Sequence, residues 1–210
     1  MRQTRVWIVG TVAVLLCVLG LPTRVLAQGV VASAQSLPLP EELPPAIRAA
    51  LGAATGAKVV MGGTTLDLWW GAPNAASWDA VEEGSVIGAL RVTGAFRDIR
   101  GKVVKPGVYT LRYGLQPQNG DHLGAAPNRE FLLISPAAVD SDPKPLGFDG
   151  TVALAKETTG TAHPASLSID PPAATEAPLT AYTTDPDLKG VVFKAGGLTF
   201  GLILSGRIEH

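Results

Sequence analysis

From Lys58 onward the chain alternates apolar and polar residues with a period of two. Val59 and Met61 start it; Leu66, Leu68 and Trp70 then fall on one face, with Thr65, Asp67 and Trp69 on the other. Ser85 to Phe96 predicts a longer strand in which Gly88 and Gly94 are bulge positions. Val108 to Gly114 turns Tyr109, Leu111 and Tyr113 inward and Thr110 and Arg112 outward. Further strands are predicted at Glu130 to Ile134, Val152 to Leu154, Ala165 to Ile169, Thr180 to Thr183, Gly190 to Lys194 and Leu198 to Ile208. In the last, Leu198, Phe200, Leu202 and Leu204 share a face, as expected of a strand inside a sheet.

Helical spacing is expected at one place. Pro40 to Gly52 opens with prolines and acidic residues, places Ile47, Ala50 and Leu51 on one face, and ends at glycine. Many short strands, one short N-terminal helix and Gly/Pro-rich turns predict a mainly β protein, an antiparallel β-sandwich of jelly-roll or Ig-like type. Residues 171 to 179 read as an exposed connection, and no fixed-period repeat is present.

The amino terminus changes the reading of where the protein works. Arg2 and Arg5 precede an apolar run from Val6 to Leu21, and Val25 and Ala27 supply small residues before a cleavage point, the layout of a secretory signal. A membrane anchor is the competing reading, but the run is shorter than the roughly 20 residues a spanning helix needs. Residues 1–27 are therefore expected to be a signal peptide, 28–40 a flexible leader, and 41–210 a single domain in a secreted or periplasmic protein. Cys17, the only cysteine, lies inside the apolar run behind Leu15 and Leu16, unlike a lipidation site. The exported chain would then have neither disulfide nor thiol chemistry. Loss of three arginines leaves 14 basic residues against 18 acidic ones, which gives no electrostatic footprint for nucleic acid.

The segments Leu90 to Arg100, Lys105 to Gly124 (KPGVYTLRYGLQPQNGDHLG) and Pro127 to Leu133 (PNREFLL) resemble a group of uncharacterised secreted bacterial β-sandwich proteins, over about residues 40 to 205. The resemblance implies export and a β fold, and it carries no catalytic residue across.

Candidate chemistry centres on the loop from Gln116 to Asn128, longer than an ordinary hairpin connection. Asn119, Asp121 and His122 lie within it and Arg129 follows it; Asn119-Gly120-Asp121 is also good turn sequence. A metal would need three or four ligands, and neither His163 nor His210 is spaced to join His122. If a metal binds at all, Asp121 and His122 are its ligands; no cofactor is predicted. Asp140, Asp142, Asp149, Asp185 and Asp187 offer oxygen ligands without the calcium-loop pattern. Trp69 points away from Leu66 and Leu68, where it would stack on a sugar or dock a partner, or else be covered by the helix. No nucleophile elbow, phosphate loop or dinucleotide fingerprint occurs.

Three functions stay open. The favoured one is a non-catalytic binding module for a small molecule, glycan or envelope protein, acting through the 116–128 loop and Trp69, with a concave apolar groove beside the loop as its sign. The second is a hydrolase or metal-dependent enzyme using Asp121 and His122, with Asp67, Glu82, Glu83 and Arg129 as the groups to converge on them. The third is a structural or assembly component of the envelope, with no transmembrane segment after signal cleavage.

Overall fold

The computed structural model describes residues 29–117, 128–170, 177–185 and 187–208. Twelve strands and two helices follow one another as β1 (Val31–Gln35), α1 (Pro45–Leu51), β2 (Thr55–Met61), β3 (Thr64–Trp70), β4 (Val86–Thr93), β5 (Phe96–Arg97), β6 (Val103–Val104), β7 (Gly107–Leu115), β8 (Glu130–Pro136), α2 (Gly147–Thr159), β9 (Ser166–Asp170), β10 (Ala181–Asp185), β11 (Leu188–Ala195) and β12 (Leu198–Ser205). Ten of the strands form one antiparallel sheet in the order β1-β2-β3-β4-β7-β8-β9-β12-β11-β10, nearly closed into a barrel, while β5 and β6 make a small separate hairpin. The mainly β, antiparallel expectation holds. The strands do not divide into the two facing sheets of a sandwich, because hydrogen bonding runs without a break from β1 to β10.

The period-two faces do what alternation predicts. Leu66, Leu68 and Trp70, Tyr109, Leu111 and Tyr113, and Leu198, Phe200, Leu202 and Leu204 all enter one interior core. Trp70 meets Phe193 and Phe200, and Trp78 stacks on Tyr113 at 5.4 Å. The register of β4 on β7 slips between Val86 and Gly88, so the bulge falls at the first of the two expected glycines. β12 lies between β9 and β11, inside the sheet.

Three expectations are corrected. Part of the 28–40 leader is strand: β1 pairs with β2 from Val31↔Val60 to Gln35↔Gly56, its small residues having masked the pattern. Val152 to Leu154 belongs to α2, not to a strand, so the helices number two. The overlooked cue was Thr151, Ala155 and Thr158, spaced i, i+4, i+7 ahead of Gly160; these residues are buried, and Gly160 caps the helix by donating to the Lys156 carbonyl.

The outer face of the sheet is covered in two places. Over β3 and β4, α1 buries Ile47 and Leu51, with Leu43 just ahead of it, against Trp69 and Ala89, and Gly52 ends the helix as predicted. Over β7 and β8 lie α2 and the segment before it, held by a buried ion pair. Arg112 points outward yet is fully buried. Its Nε and Nη2 donate to the two Asp140 carboxylate oxygens at 2.8 and 2.6 Å, its Nη1 donates to the carbonyls of Gly84 (2.6 Å) and Lys144 (2.9 Å), and Nη2 also donates to the Asp142 carbonyl. All five guanidinium N–H groups are thereby satisfied. Thr110 donates its hydroxyl to Asp140 as well. The Leu146 and Gly147 nitrogens come so close to Gly84 that a Cβ there would sit 2.5 and 2.6 Å from them.

Candidate functional site

The loop that drew attention in the sequence leaves the sheet between β7 and β8. Asn119, Asp121 and His122 lie outside the described residues. The base of the loop is described: the Gln116 amide donates to the Arg129 carbonyl at 2.9 Å, and the exposed Arg129 returns Nε and Nη2 to the Gln116 carbonyl at 3.3 and 3.2 Å. Nearby, the Glu83 carboxylate accepts from the Leu115 amide at 3.0 Å.

Beside that base runs a groove of about 310 Å³, between α2 and the outer faces of β8 and β9. Its floor follows from strand pairing. Phe131 is opposite Ser168 and Leu133 opposite Ser166, all four on the face away from the core that takes Leu132 and Leu167. Its overhang follows from how α2 sits. The helix meets the sheet through the small residues Thr151, Ala155 and Thr158, the last donating to the Ile134 carbonyl at 2.6 Å. Phe148, Val152 and Lys156, at i, i+4 and i+8, are left along the flank facing the groove. Gln116 and Pro117 also line it, as do Arg100, His163 and Pro164.

Glycine sets the shape of the floor. Gly114 pairs with Phe131 across β7 and β8, and a Cβ at Gly114 would stand 2.9 Å from the Phe131 ring. The ring thus lies over the bare glycine backbone. Arg100 is fixed by three partners: the Asp98 carboxylate at 3.2 Å, the Pro164 carbonyl at 2.7 Å and the Ser166 hydroxyl at 2.9 Å. Ser168 is different. It is buried, and its Oγ has no hydrogen-bond partner.

The other predicted residues lie apart from the groove. Trp69 is 2% exposed beneath α1, and its indole N–H donates to the Leu37 carbonyl at 3.1 Å, so the helix covers the outward tryptophan. Asp67 pairs with Lys58 at 3.6 Å on β2 and β3, two strands from β7. Glu82, Glu83 and Arg129 are near the β7–β8 end of the sheet, the last two bound to backbone. Asp140, weighed as a calcium ligand, is the buried partner of Arg112, and Asp142 accepts from the Lys144 amide in a turn. Among the described residues no group of three His, Cys, Asp or Glu is placed to hold a metal, and no helix is long and apolar enough to cross a membrane.

Electrostatics single out one group close to the loop base. The Tyr113 phenol is pushed up to about 12, first by burial and then by the carboxylates of Glu130, Glu83 and Asp79, against a smaller opposing effect of Arg129. Tyr113 is therefore a neutral core residue at ordinary pH. Sequence reading missed the groove because half of it comes from α2, read as strand. The available signal was the spacing of Phe148, Val152 and Lys156.

Comparison with protein-family models, with curated proteins and with solved structures gives no match.

Proposed function

We propose that this is an exported, non-catalytic binding protein, akin to the secreted bacterial group its motifs resemble, and that its ligand site is the groove between α2 and β8–β9. One observation carries the reading: an apolar concavity of about 310 Å³ opens at the base of the 116–128 loop, and small-molecule sites are concave, mostly apolar and furnished with a few polar groups. Phe131, Leu133, Phe148 and Val152 supply the apolar surface; Lys156, Ser166 and Ser168 supply the polar points. A glycan platform built on Trp69 is not part of this reading, since that ring is enclosed.

The test is titration of residues 28–210, which hold every described element, with the neutral apolar fluorophore N-phenyl-1-naphthylamine. Saturable, one-to-one binding is expected, lost in Val152→Trp, whose indole would fill the groove, while the far-ultraviolet spectrum stays unchanged. Absence of saturable binding, or equal binding by Val152→Trp, overturns the assignment.

A further inference from the structure

The fold accounts for most polar groups around the groove but leaves two unused. Arg100, Lys156 and His163 line it, and among the described residues no aspartate or glutamate does. The Arg100 charge is answered by Asp98, whose side chain is fully buried. Lys156, half-buried on the groove flank of α2, enters no ion pair among the described residues. A lysine with a desolvated stem and an unanswered charge beside an apolar floor favours an anion that brings its own apolar body.

The second unused group is Ser168. Its Oγ is buried without a hydrogen-bond partner, and the residue lies on the groove floor. Buried hydroxyls ordinarily find partners. A cation without a carboxylate partner on the wall of an apolar groove indicates an occupant with an anionic end as well as an apolar body.

Resting on the groove being the ligand site, we propose that its ligand is a small anionic amphiphile, an alkyl or aryl carboxylate, whose head pairs with Lys156 while its body lies on Phe131, Leu133 and Val152.

The experiment is displacement of N-phenyl-1-naphthylamine from residues 28–210 by octanoate, 1-octanol and octylamine at low salt. Octanoate is expected to displace about tenfold more strongly than 1-octanol, and octylamine to be weakest, although the alcohol is the more hydrophobic of the first two. Lys156→Gln is expected to remove the octanoate advantage, read as the ratio of octanoate to 1-octanol displacement in the same variant. Equal displacement by acid and alcohol, or an acid advantage that survives Lys156→Gln, overturns the carboxylate proposal while the groove stands. Failure of the fluorophore itself to bind overturns the groove and the proposal with it.

Discussion

Arg112→Ala is the substitution whose effect the structure defines most closely. It removes a guanidinium that satisfies all five of its donors and leaves Asp140, 1% exposed, with the Thr110 hydroxyl in place of a bidentate cation. The carbonyls of Gly84, Asp142 and Lys144 lose charge-assisted bonds at the same time. Breaking a buried pair by deleting one partner costs about 3–5 kcal/mol, against a total stability of about 5–15 kcal/mol for a domain. With a urea slope near 2–3 kcal/mol/M for a chain of this size, the unfolding midpoint should fall by about 1–2 M. Arg112→Lys keeps the charge but has a single nitrogen where Arg112 uses three, so most of the loss should remain. Asp140→Ala alone should be as damaging, and Arg112→Ala/Asp140→Ala should be less damaging than the two effects added, with a coupling of about 2–4 kcal/mol. The assay is equilibrium urea unfolding of the parent chain and the four variants, followed by tryptophan fluorescence. A loss under about 1 kcal/mol for Arg112→Ala, or no coupling in the cycle, would refute the claim that this pair anchors the segment leading into α2.

Two more predictions follow from single residues. Because the Tyr113 phenol stands near 12 in the folded chain and near 10 when unfolded, its contribution to stability is fully present below pH 10 and is lost as the pH rises through 12; an ultraviolet titration of the tyrosinate band should show a late-ionising tyrosine that Tyr113→Phe removes, and ionisation of every tyrosine near pH 10 would contradict the shift. Gly114→Ala should drive the Phe131 ring toward the groove, since the new methyl would stand 2.9 Å from it; N-phenyl-1-naphthylamine affinity should fall at least a few-fold while the fold survives, and unchanged affinity would mean that the ring does not shape the floor.

The strands were legible in the sequence because one face of each is dry. Leu66, Leu68 and Trp70, or Leu198 through Leu204, carry the period-two signal directly into the barrel interior. The outer face was harder to read, because alternation tells which side a residue takes and not what covers that side. Arg112 and Trp69 both read as outward, and both are buried, one under the segment 137–146 and α2, the other under α1. β1 was hidden for a different reason: Val31–Gln35 is valine, alanine, serine and glutamine at an edge, where little burial imposes a pattern. The groove depended on recognising α2, whose sheet-facing contacts are threonine and alanine and so do not resemble an amphipathic stripe.

The order of strands also bears on how the chain assembles. From β1 to β9 each new strand of the main sheet takes the place beside the one before it, with β5 and β6 as an excursion, so this part can grow by successive addition as the chain is made. The last three strands reverse that direction. β12, the final strand, is the one that joins β9, through Gly201↔Asp170 and Leu202↔Ile169. The β10–β12 meander therefore has no inner neighbour until Leu198–Ser205 has emerged, and a chain stopped before Leu198 would present β9 with an open edge. Joining of the β10–β12 meander to the rest of the sheet thus waits on a single strand, Leu198–Ser205.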